Sequence, residues 1–209
     1  MPYLNHFPLQ RLIQAIPVAD HSVEVSATFW QPVCAAAGRN AEHATLFAGQ
    51  PSIRITRQWL HTAQVPMTIR CLGILLWGYP TGARGNLHQG WLANLPQIAA
   101  AARSPGMTWP GYYAQLAAVG GLGISTISKL ACFFGHQFGG HPALVLDQRI
   151  LRVLASGRWV ELNPLQGLTY LNAPVRYLDY LSTLDTVAGA GGMTAEQLEF
   201  VLFAFGGSF

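Results

Sequence analysis

Residues 110–134 read PGYYAQLAAVGGLGISTISKLACFF. Apolar residues recur at helical spacing on both sides of Gly121-Leu122-Gly123. The stretch therefore predicts a helix over 110–119, a tight Gly-x-Gly turn and a second helix over 124–134. Pro110 suits a first helical position, and Gly120 suits an end. The glycines permit positive φ and the close approach of another backbone, while Leu122 would pin the turn into the core. The second helix would open with free N–H groups beside the Ser125 and Thr126 hydroxyls, a docking point for a phosphate. Taken alone, the turn is equally that of a plain helical hairpin.

Downstream comes GHQFGGHP (135–142), a Gly-rich loop, and then ALVL leading to Asp147. Asp147 reads as the N-cap of a helix over 147–156 that carries Arg149 and Arg152. Helical spacing also predicts helices over 8–16, 24–37, 51–64, 66–77, 87–102, 174–188 and 194–205. Thr194 and Gln197 make a capping box for the last of these, and Gly206-Gly207 close it. VEVSATF (23–29) carries the best strand signal but also reads as helix. The expected class is all-α, with 22 glycines and 13 prolines serving the connections. The chain reads as one unit over 1–209. Within it, 105–160 is expected to form the active subdomain, and 1–103 with 172–209 a second helical subdomain across a cleft.

A chain of 209 residues that is 51% hydrophobic is long and apolar enough to bury a core. Only 10% of its residues are charged, against about 25% in an average soluble domain. That raises the membrane question. The longest apolar run starts at Cys71 and ends by Gly78, well short of the ~18 residues needed to span a bilayer. The opening MPYLNHFPLQRL lacks a basic segment followed by an apolar one, so no signal peptide is expected. A soluble, cytoplasmic monomer with no membrane partner is the expectation. Cys34, Cys71 and Cys132 are scattered, with no CxxC and no zinc spacing, so buried thiols and no metal are expected. The formal net charge is +3, and eleven of the twelve basic residues are arginine. Lys129 is the only lysine, and arginine cannot replace it as an amine nucleophile.

Gly121, Leu122, Gly123, Ser125 and Thr126, the Gly139–Pro142 loop and Asp147 together resemble the helix-hairpin-helix DNA glycosylases. The resemblance covers about 110–156. It implies a helix-hairpin-helix fold in which the hairpin grips a phosphate of double-stranded DNA, with Gly121, Gly123, Ser125, Thr126 and Arg149 as DNA contacts; separately, the turn-rich segment Trp77–Gly90, which carries Arg84, reads as a DNA-facing loop or as a plain helix connection. A modified nucleotide is rotated out of the duplex, and the aspartate acts at its sugar. Breaking an N-glycosidic bond builds positive charge on that sugar, which a fixed carboxylate stabilises. In bifunctional members the nucleophilic lysine stands two residues after Gly-h-Gly. Ser125 stands there instead, as in adenine-type monofunctional members. Lys129 lies about 40° further round the helix and ~6 Å along it, on a shared face from which its stem can reach back. TISKLACFF (126–134) is similar to the archaeal 8-oxoguanine glycosylases, in which the lysine sits inside an apolar helix. An apolar setting would leave more of the amine neutral. The alternative is a solvated helix lysine. Trp30, Gln31, Trp77 and Phe209 are candidates to hold a flipped base. No cofactor is expected, beyond a monovalent cation that the Val119–Gly123 backbone could hold.

The favoured reading is a DNA N-glycosylase for an 8-oxoguanine-type base, with Schiff-base strand cleavage through Lys129 as an added activity. The same branch includes phage-defence glycosylases that remove glucosylated hydroxymethylcytosine, so an antiviral role with a bulky substrate stands beside a repair role. A non-catalytic helix-hairpin-helix DNA-binding module would need the hairpin and the arginines but neither Lys129 nor Asp147. An all-α protein–protein adaptor would need none of them.

Overall fold

The computed structural model describes residues 7–82, 87–119 and 121–206. Twelve α-helices are present among them: α1 (Phe7–Gln14), α2 (Ala27–Ala36), α3 (Asn40–Phe47), α4 (Arg57–Thr62), α5 (Met67–Gly78), α6 (Leu87–Ala93), α7 (Leu95–Arg103), α8 (Trp109–Ala117), α9 (Ile124–Phe133), α10 (Gln148–Ala155), α11 (Ala173–Ala190) and α12 (Ala195–Phe205). Two short antiparallel pairs accompany them, β1 (Ser22–Ser26) with β2 (Ser52–Thr56) and β3 (Gln137–Phe138) with β4 (His141–Pro142). The fold is all-α, as expected.

The structure corrects two expected helices. Residues 22–26 and 52–56, at the starts of the helices expected over 24–37 and 51–64, are extended and pair with one another. SVEVS and SIRIT alternate β-branched with polar residues. Val25 and Ile55 are buried on one face, while Glu24 lies opposite Arg54 on the other. The strand signal at 23–29 marks β1, while β2 shows itself only once its partner is known, because the pairing is non-local. Each strand also ends in the cap of the next helix: Ser26 accepts from Phe29 N and Thr56 from Trp59 N. The helix expected over 87–102 divides at Asn94 into α6 and α7. Pro96, in the first turn of α7, has no N–H to continue α6. Helix α3 was not expected from the sequence.

The apolar run that raised the membrane question is α5. Every residue from Cys71 to Trp77 is buried, and no described helix is long and apolar enough to cross a membrane. Helix α9 is just as enclosed, with Ile124 and Thr126 to Phe133 all buried. α5 packs on α7 and α9, α8 on α9, and α12 on α10 and α11. The core is thus continuous across the division expected between 105–160 and the rest. The low charge content follows in part, since these two central helices are buried along most of their length.

Gly73 lets α5 lie against Trp59, whose ring occupies the space a Cβ would need. Gly73→Ala is expected to cost about 1–3 kcal/mol through overpacking, read as a lower midpoint in denaturant unfolding.

Candidate active site

The site is built on the starts of α9 and α10. Gly121 has φ +78°, a left-handed conformation that glycine adopts without strain. Leu122 is buried and anchors the turn, and a Cβ on Gly123 would overlap the Tyr170 hydroxyl. Gly121, Gly123, Ser125 and Thr126 line an open groove of about 710 Å³ with Tyr79, Gln148, Arg152 and Tyr170. The Thr126 hydroxyl lies 2.8 Å from that of Tyr79, which ties the start of α9 to the end of α5.

Lys129, one turn deeper, is 5% exposed and so is not a solvated helix lysine. Its Nζ donates to Ser125 Oγ at 2.8 Å and to the Ser125 carbonyl at 3.2 Å. The amine lies 5.8 Å from the centre of the Tyr79 ring. Its stem runs over Gly78, where a Cβ would stand 3.1 Å from Lys129 Cδ. Burial pulls the Lys129 amine below the usual lysine range, while Asp147 and Glu199 oppose the shift.

Asp147 is brought to Lys129 by the buried segment 143–146. This stretch is outside any helix or strand, and side-chain hydroxyls hold much of its backbone. Ser128 Oγ, on α9, accepts from Leu146 N at 3.0 Å. Tyr180 donates to the Val145 carbonyl at 2.8 Å, and Tyr177 bonds both the N–H and the carbonyl of Leu144. Asp147 caps α10 through one oxygen, with Oδ1 accepting from Arg149 N at 2.9 Å and Ile150 N at 3.1 Å. Oδ2 is left out of the cap.

Lys129 and Asp147 line one small cavity of about 90 Å³ with His21, Arg57, Trp77, Glu199 and Phe203. The ion pair in its wall was not seen in the sequence. Arg57 is 1% exposed and donates from Nη2 to both Glu199 oxygens at 2.8 Å, and from Nη1 to Glu196 at 3.0 Å. Burial works against the Arg57 charge, but Glu199 more than offsets it and holds the guanidinium protonated. Burial likewise pushes the Glu199 carboxyl up, against the pull of Arg57. The signal available was a glutamate inside the apolar run LEFVLFAF, since a carboxylate is seldom fully buried unless paired. Burial, with Arg57 adding to it, pulls His21 down to about 4.

The other expected site residues are dispersed. Trp77 lines the cavity. Trp30 is instead a core residue, 1% exposed, with its indole N–H donated to the Pro80 carbonyl at 3.2 Å. Gln31 is exposed on α2 and does not line the cavity. Arg149 is exposed and lies over the Phe203 ring at 5.0 Å, at the cavity's edge. Arg84 and Phe209 lie outside the described residues, as does Gly120 of the Val119–Gly123 turn.

One cluster has metal-ligand chemistry: donor atoms of His61, Cys132 and Glu196 lie within 4.8 Å of one another. A divalent ion there would need a thiolate from Cys132, whose thiol burial pushes up. It would also face the Arg57 guanidinium on the same Glu196 oxygen. As it stands, the cluster belongs to the ion-pair network.

A family model described as "Putative 8-oxoguanine DNA glycosylase OGG-like protein" matches residues 16–203. No curated protein and no solved structure matches the chain.

Glu199→Leu strands a buried guanidinium and is expected to cost about 3–5 kcal/mol. Arg57→Met combined with Glu199→Leu should cost less than Glu199→Leu alone, as denaturant titration of the three proteins would show. His21 is held below its unfolded value of 6.5, so the stability it contributes is present above pH 6.5 and is lost as pH falls toward about 4. The stability difference between wild type and His21→Phe should shrink across that window and level off below it.

Proposed function

The chain belongs to the OGG-like DNA glycosylase family, and from that premise we propose that it cleaves the N-glycosidic bond of an oxidised purine of the 8-oxoguanine type in double-stranded DNA. The observation that carries the reading is the convergence of the only lysine in the chain and the Asp147 carboxylate on one small cavity. A DNA-binding module or a protein adaptor has no use for a buried amine facing a carboxylate.

In this reading the turn at Gly121–Gly123 and the start of α9 form a helix-hairpin-helix element. Its N–H groups and the Ser125 and Thr126 hydroxyls hold a phosphate in the open groove. Arg152 lines that groove and Arg149 is exposed on the same helix, so both are placed to add backbone contacts. The modified nucleotide leaves the stack and enters the neighbouring cavity. Positive charge developing at C1′ is stabilised by the free oxygen of Asp147. The Ser125 hydroxyl orients the Lys129 amine, and burial keeps more of it neutral than an exposed lysine would be. That amine bonds to C1′ as the C1′–N bond to the base breaks. The base leaves with the bonding electrons and takes up the proton that the new C1′–nitrogen bond releases. Opening of the sugar ring then gives a Schiff base, from which β-elimination can cut the strand. The small volume of the cavity favours a base without a bulky adduct over glucosylated hydroxymethylcytosine.

The test is incubation with duplexes carrying 8-oxoguanine, uracil, mispaired adenine or glucosylated hydroxymethylcytosine, scoring base release apart from strand breaks and trapping with borohydride. Wild type should release the oxidised purine and be trapped. Lys129→Gln should lose the trapped adduct, and Asp147→Asn should keep DNA binding while base release falls by about 10²-fold or more. Base release without trapping would make water the nucleophile and remove the lyase step. Lys129→Met should be at least as stable as wild type, because it removes an amine that burial disfavours in its charged form.

A further inference from the structure

The three donor groups of His61, Cys132 and Glu196 come from α4, α9 and α12, so their grouping has no counterpart in sequence spacing. All three line a pocket of about 290 Å³, apart from the Lys129–Asp147 cavity, with His136, Gln137 and Thr194. His61 and Glu196 are partly exposed there, while Cys132 is buried. The distances suit a tetrahedral ion. Bonds of about 2.0–2.3 Å to nitrogen, oxygen and sulfur set neighbouring donors roughly 3.3–3.8 Å apart. His61 Nε2 already stands 3.3 Å from Glu196 Oε1, and shifts of roughly 1 Å bring the rest of the set into that range.

Charge points the same way. Glu196 and Glu199 share one guanidinium, that of Arg57, so two carboxylates face one cation. A divalent ion corrects this. Its two charges are offset by Glu196 and by the thiolate that Cys132 becomes on losing its proton to solvent. Arg57 keeps both Glu199 oxygens. Arg57 and His61 both bond Glu196 through Oε1, which leaves Oε2 for the ion, and His61 Nε2 exchanges its contact with Oε1 for the metal. Burial disfavours a Cys132 thiolate, whereas the Arg57 charge and the Val145 N–H favour it. A coordinated thiol gives up its proton outright.

We propose that His61 Nε2, Cys132 Sγ and Glu196 Oε2 form a site for a thiophilic divalent cation of the zinc type, with its fourth position open to the pocket. A mixed nitrogen, sulfur and oxygen set disfavours magnesium and calcium, which take oxygen ligands. Binding ties α4, α9 and α12 together and releases the Cys132 proton. The site does not depend on the glycosylase reading, and either can fail without the other.

The experiment titrates the untagged full chain with zinc, cobalt(II) or magnesium after chelator treatment, as wild type, Cys132→Ala and His61→Gln. Wild type should take up one zinc ion per chain and unfold at a higher temperature in its presence. Cobalt should give a near-ultraviolet charge-transfer band from thiolate to metal, and magnesium should leave the protein unchanged. Each variant should bind zinc at least about 10-fold more weakly, and Cys132→Ala should lose the cobalt band. His61→Gln alters a partly exposed side chain, so it separates loss of a ligand from loss of the fold. If Cys132→Ala does not fold, His61→Gln and the wild-type cobalt band decide. Wild type that takes up no zinc overturns the proposal, as does a cobalt complex without the thiolate band. Magnesium binding that matches zinc, or a smaller loss of zinc affinity in either folded variant, overturns it too.

Discussion

A single buried segment that belongs to no helix or sheet governs the geometry of this protein. Backbone polar groups cannot be enclosed unpaired, and Leu144, Val145 and Leu146 are enclosed. Hydroxyls from two flanking helices answer for them: Ser128 from α9 and Tyr177 and Tyr180 from α11. Each of those bonds fixes the register of the segment. The residue that follows it, Asp147, is thereby delivered beside the helix that carries Lys129. Ser128 of α9 thus helps set the place of the carboxylate.

The second constraint is the ion pair of Arg57 with Glu199. It joins α4 to α12, elements separated by most of the chain, within the wall of the same cavity. Enclosing two charges carries a large desolvation cost, and such a pair contributes little net stability compared with apolar residues of similar shape. What it supplies is a fixed field. Arg57 disfavours the charged Lys129 amine and Glu199 favours it, so burial decides the balance. The rings of Trp77, Phe133 and Phe200 lie 5.7 to 5.8 Å from the guanidinium carbon, which keeps that field free of solvent.

The sequence made local features readable and left distant ones hidden. The turn at Gly121–Gly123, the Asp147 cap, the Thr194–Gln197 capping box and most helices are encoded within a few neighbouring residues, and all of these are present. The β1–β2 pair was obscured because each strand is five residues long and runs directly into a helix of compatible spacing. Lys129 and Asp147 could be named from their surroundings, but their shared cavity depends on the hydroxyls that seat residues 144–146. The roles of His21 and Arg57 were beyond reach, since an arginine in an amphipathic stretch looks solvated until its buried partner is located. Trp30 shows the opposite error, where an aromatic of the right type has a purely architectural position.

The side chain of Lys129 is held at both ends, with its methylenes against Gly78 and its amine on Ser125. A free lysine side chain samples many rotamers, and confining it costs up to about 2 kcal/mol of entropy at room temperature. Here much of that confinement is in place once the chain has folded. In the proposed reaction an electrophile entering the cavity would meet an amine already held in place, and more of the entropic part of the encounter would fall on the incoming molecule.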